Sequence, residues 1–122
     1  MKVLDLAQQL KSWKVADRQN AAQALGQIGA EAKDIVPELI QALQNGSVEV
    51  RKSAARALGA MGPEAIDAVP DLVAALQDQS KFMRYYAAEA IAKIEPEAKD
   101  TNPDVIRILK TVNLSSTLSI NV

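Results

Sequence analysis

Val36-Pro37, Val69-Pro70 and Asn102-Pro103 stand 33 residues apart, and 33 residues before Val36 comes Val3. A fixed period of this length marks a stacked-repeat architecture and constrains the fold more than any single residue does. Cut at these points, the chain reads VLDLAQQLKSWKVADRQNAAQALGQIGAEAKDI (3–35), VPELIQALQNGSVEVRKSAARALGAMGPEAIDA (36–68), VPDLVAALQDQSKFMRYYAAEAIAKIEPEAKDT (69–101) and a partial unit that begins NPDVIRILK at 102. The units align without a gap.

Each unit holds two helical patterns. Val36, Leu39, Ile40 and Leu43 follow i, i+3, i+4, i+7 spacing, repeated by Val69, Leu72, Val73 and Leu76, which gives a helix A with one apolar stripe. The proline at its second position suits a first helical turn, and the acid after it (Glu38, Asp71, Asp104) suits the positive end of the helix dipole. The path can equally begin a turn earlier, in PEAID or PEAKD. Helix B follows: Val50, Ala54, Ala57, Leu58 and Met61 recur as Met83, Ala87, Ala90, Ile91 and Ile94, with alanines where a neighbouring helix must come close. Gly29 and Gly62 then stand where a left-handed cap is expected, and Gly26 and Gly59, inside helix B, mark close backbone approach.

One helix pair cannot bury its stripe alone, so pairs stack. The expected fold is all-α, an α-solenoid of antiparallel helix pairs: a repeat domain over 1–112 (3–35, 36–68, 69–101 and the partial 102–112) and a tail over 113–122 that is disordered or caps the end. Composition agrees, since the 48% of hydrophobic residues are chiefly Ala, Leu, Val and Ile, which suit closely packed helices.

The same composition closes off much chemistry. With no Cys there are no disulfides, thiolate nucleophiles or sulfur metal sites; with no His the usual general base and the commonest transition-metal ligand are missing. No cofactor and no catalytic residue is expected. A formal net charge of −1 offers no overall attraction to nucleic acid or anionic lipid. Asp5 and two glutamines interrupt the N-terminus where a signal peptide needs an apolar run, and nothing approaches a membrane span, so the chain reads as soluble and cytoplasmic.

VRKSAARALGAMGPEAIDAVPDLVAAL and AAQALGQIGAEAKDIVPELIQAL resemble HEAT-like repeats of the phycobilin-lyase type, on their recurrent Arg, Ala-Ala, Ala-Leu-Gly and Val-Pro positions. The chain departs from that pattern at Asp17, where other units place Val50 and Met83, and at Ala92 and Glu95, which replace glycines. The resemblance implies that the B helices line a concave face. It also brings in scaffolds, lyase subunits, nucleic-acid-binding proteins and enzymes as relatives.

Among recurrent residues, the row Arg18, Arg51, Arg84 is read as structural, each fork tying helix B to a carbonyl or carboxylate of the adjacent turn, such as Asp78 near Arg84. The carboxylates Glu31, Asp34, Glu64, Asp67, Glu97 and Asp100 are read as solvated helix-start residues. The variable positions are more informative. Off the apolar stripe of helix B lie Ala16, Gln19, Asn20, Gln23 and Gln27, then Glu49, Lys52, Ser53, Arg56 and Ala60, then Phe82, Tyr85, Tyr86, Glu89 and Lys93. Three of the four aromatic residues fall at i, i+3, i+4 in the last group, and their counterparts are small or polar. Two accounts fit them: a partner-binding hot spot, or a cap for the end of the array that the tail or the fourth helix covers. Trp13 is read as a lid over the first unit.

The preferred reading is a non-catalytic protein-binding module or scaffold, its partner held by Phe82, Tyr85, Tyr86, Glu89 and Lys93 with Lys52, Arg56 and Glu49. A second, implied by the resemblance, is a phycobilin-lyase-like or chaperone-like subunit that stacks a tetrapyrrole or meets a bilin-carrying protein. Nucleic-acid binding ranks last, because Glu49 and Glu89 interrupt the cations.

Overall fold

The structure, a computed structural model, describes residues 3–12, 14–45 and 47–111. Trp13 and the tail 113–122, with their expected capping roles, lie outside the described residues. Three pairs follow one another: α1 (Val3–Gln9) with α2 (Val15–Ile28), α3 (Val36–Asn45) with α4 (Val48–Met61), and α5 (Val69–Ala75) with α6 (Lys81–Ile94). A short helix α7 (Ala98–Thr101) and a helical stretch over 103–111 complete it. Among the described residues there is no strand, and no helix is long and apolar enough to cross a membrane. The all-α solenoid expected from the period is the fold observed.

The helical path does begin before each proline. Gly29–Ile35 and Gly62–Ala68 form 3-10 segments that run straight into α3 and α5, so Pro37 and Pro70 sit in a first turn, where a missing N–H costs little. The left-handed caps expected at Gly29 and Gly62 are not formed: Gly29 opens a 3-10 segment, and Gly62 pairs a positive φ of 71° with ψ −147°, because the chain turns directly into the next helical segment. The fourth unit starts differently: Asn102 is extended, and its side-chain oxygen accepts from the N–H groups of Asp104 and Val105 at 3.0 and 3.1 Å. Asn in place of valine therefore gives the helix a true N-cap. Ser47 and Ser80 cap α4 and α6 likewise, each accepting at 3.3 Å from the N–H three residues on.

Leu10, Leu25, Leu39, Leu58, Leu72, Met83, Ile91 and Val105 form one continuous core. The two layers differ in closeness. Helices α2, α4 and α6 lie against one another along their lengths, whereas α3 and α5 touch at few points. The B helices thus form the tighter of the two layers.

The glycines make that closeness possible. A Cβ on Gly26 would overlap that of Ala60, and one on Gly59 would lie 2.9 Å from the Ala90 Cα, closer than real side chains approach. In the third unit, Ala92 fills the corresponding position, and no fourth B helix follows α6 among the described residues. Polar ties cross between repeats as well. Gln44 donates to Asp71 at 2.6 Å, and the Arg51 guanidinium meets Asp78 at 3.3 Å.

Two further expectations need correcting. Val73 was expected in the apolar stripe of helix A but is exposed, while its counterpart Ile40 packs against the core. Ser53 was expected to point away from the core but is buried, its hydroxyl donating to the Glu49 carbonyl at 3.0 Å.

Candidate functional site

The arginine row builds the walls between repeats. Arg18 donates to the Ser12 carbonyl at 2.8 Å, and Arg84 to the Asp78 and Gln79 carbonyls at 2.6 and 3.1 Å, so each fork closes the turn before its own helix B. Its reach toward the following repeat was not foreseen: Arg18 pairs with Glu49 at 3.5 Å as Arg51 does with Asp78. The carboxylate near Arg84 is thus held by the arginine one unit back, while Arg84 takes the carbonyl. In the first unit Asp17, half-buried, accepts from the Ser12 hydroxyl at 2.9 Å, which replaces the apolar contact made there by Met83.

On the tighter layer the B helices line a groove of about 440 Å³. Its floor is small: Ala22, Ala55, Gly59, Ala60 and Ala90. The α2 side carries the amides Gln19, Asn20 and Gln23, the middle helix α4 carries Arg56, and the α6 side carries Tyr86, Glu89 and Lys93. A smaller recess of about 80 Å³ beside it adds Arg18, Glu49, Lys52 and Ser53. The geometry follows from the sequence locally, since the same glycines and alanines that let three helices approach leave no side chains to fill the space above them.

The residues singled out in the sequence divide as follows. Glu49, Lys52, Arg56, Tyr86, Glu89 and Lys93 line the groove or its recess. Phe82 is 60% exposed beside it, joined through Lys52, whose Nζ lies 5.8 Å from the Phe82 ring centre and 6.0 Å from that of Tyr86. Tyr85 is half-buried outside the lining and donates its hydroxyl to Glu89 at 2.8 Å. It meets Tyr86 edge to face, with 5.5 Å between ring centres. That hydrogen bond, followed by burial and the nearby Glu89 charge, raises the Tyr85 pKa above its ordinary 10.0.

The cations were expected merely to flank the aromatics, but they sit on them. Besides Lys52, the Arg56 guanidinium lies 5.8 Å from the centre of Tyr86 and Lys81 Nζ 5.6 Å from that of Phe82. Sequence reasoning placed Gln19, Asn20 and Gln23 on this face without including them in the site. The alanine floor was missed because alanine at helix contacts reads equally as packing. Asp34, Glu64 and Asp67 are exposed along a separate groove of about 420 Å³ beside Pro37 and Ile40, on the A-helix side. Among the described residues, no three His, Cys, Asp or Glu side chains converge to hold a metal.

A stack of paired helices with an open groove on its tighter layer defines a repeat protein of the α-solenoid class. The pattern of HEAT repeats matches residues 3–69 and, overlapping, 36–117. The chain belongs to the HEAT-repeat family, whose repeats generally mediate protein–protein interaction and are typically non-catalytic. A comparison with curated proteins returns no match.

Proposed function

We propose that the chain is a non-catalytic interaction module or scaffold that holds a segment of a protein partner on the concave face of its B helices. The observation that carries this is the groove itself: it runs across three helices from three repeats, has a floor of small residues, and is rimmed by groups able to hydrogen-bond and pair charge. Phe82 at its edge offers a large apolar surface beside that rim. A flat tetrapyrrole stacked on these rings would have to displace Lys52, Arg56 and Lys81, which favours the protein partner.

Site-specific photocrosslinking tests the proposal. With benzoylphenylalanine in place of Phe82, irradiation in native lysate should give a protein adduct that the same group in place of exposed Val73, on the A layer, does not. Equal adducts from both positions, or none from Phe82, would contradict it.

A further inference from the structure

We infer that the groove selects an acidic segment, an extended peptide rich in Asp or Glu, with a carboxylate seated on Arg56. This rests on the groove being the binding face and goes on to name the chemistry of what enters.

The charge on this face differs from that of the whole. The groove and its recess carry Arg18, Lys52, Arg56 and Lys93 against Glu49 and Glu89, four cations to two carboxylates, in a chain whose net charge is −1. Both carboxylates are already engaged. Glu49 is met by Arg18 at 3.5 Å and Lys52 at 3.4 Å, and Glu89 by Lys93 at 3.8 Å and the Tyr85 hydroxyl. Arg56 is exposed in the groove and has no carboxylate partner among the described residues. Its guanidinium lies 5.8 Å from the Tyr86 ring centre, and its planar fork carries several N–H donors. That fork fits the two oxygens of a carboxylate.

The facing wall specifies the rest. Gln19, Asn20 and Gln23 are exposed and make no hydrogen bond among the described residues, and each offers both a donor and an acceptor. Peptide backbone also offers one of each per residue, so the amides can pair with an extended peptide.

The test has two arms on the purified full chain. Short random peptides are selected for binding, and anisotropy titration at physiological salt compares a labelled Glu-Ala repeat peptide, its Lys-Ala counterpart and oligo(dT). The selected peptides should be enriched in Asp and Glu, and the Glu-Ala peptide should bind more tightly than either comparison probe. Arg56→Ala should weaken it about tenfold, the loss expected for a charge-assisted hydrogen bond, with circular dichroism showing the variant folded; Arg56→Lys should recover part of that loss. Selected peptides with no acidic excess overturn the inference and leave the groove reading standing. No selected peptide at all sinks both, and tighter binding of oligo(dT) overturns the inference in favour of nucleic acid. Affinity unchanged in both Arg56 variants removes the seat assigned to the carboxylate.

Discussion

Gly59 on α4 lies so near Ala90 on α6 that a methyl group on its Cα would stand 2.9 Å from the Ala90 Cα and 3.2 Å from its Cβ. The obstacle is backbone, which cannot swing aside. Gly59→Ala should therefore destabilise the chain by about 1 kcal/mol, because forced separation of the helices outweighs the gain in helix propensity. Gly59→Val should cost more. Urea denaturation measures both, and a more stable Gly59→Ala chain would show that the helices are not in contact there.

Arg51 and Asp78 join the second and third repeats across a partly shielded gap, their side chains 25% and 19% exposed. Arg51→Glu places two carboxylates together and should cost about 2 kcal/mol, while the cycle of Arg51→Ala with Asp78→Ala should show a coupling of about 0.5–1 kcal/mol. A fully stable Arg51→Glu chain would refute the bracing role.

Tyr85 should titrate above 10.0 because its proton is held by Glu89. Ultraviolet titration of phenolate should place this tyrosine above its ordinary value, and Glu89→Gln should bring it back down. The raised group favours the protonated folded state, so its contribution to stability is complete below pH 10 and is lost as pH rises through the folded pKa. A Tyr85 that titrates at or below the ordinary value in the wild-type chain would contradict the bond.

Phe82 and Tyr86 should part company in stability measurements. Phe82 is 60% exposed, so Phe82→Ser should change stability by no more than about 0.5 kcal/mol, whereas Tyr86 packs on the core and Tyr86→Ser should cost about 1–2 kcal/mol. Thermal denaturation compares them, and an equally large loss at Phe82 would make it part of the end cap.

The fold was legible in the sequence because stacking imposes one rule on every unit. Val36, Leu39 and Leu58 recur in register, and Gly26 and Gly59 mark the approach of the next helix even before that helix is known. What depends on the placement of one repeat against another was not legible. Arg51 reaches the carboxylate of the next unit, Ser53 is buried, and Val73 is exposed. The site was legible in part for the same reason. Periodicity put Lys52, Arg56 and Tyr86 on one face, but the seating of cations on rings from the adjacent helix is a distance between helices, which a single helical pattern does not contain.

The most direct test of the concave face as the working surface is amide chemical-shift mapping of the labelled chain as it is titrated with a selected peptide. The account predicts shifts concentrated around Gln19 to Gln23, Arg56 to Ala60 and Tyr86 to Lys93, the three sides of one groove. Shifts concentrated instead along Ile40, Glu64 and Asp67, on the A-helix side, would contradict it.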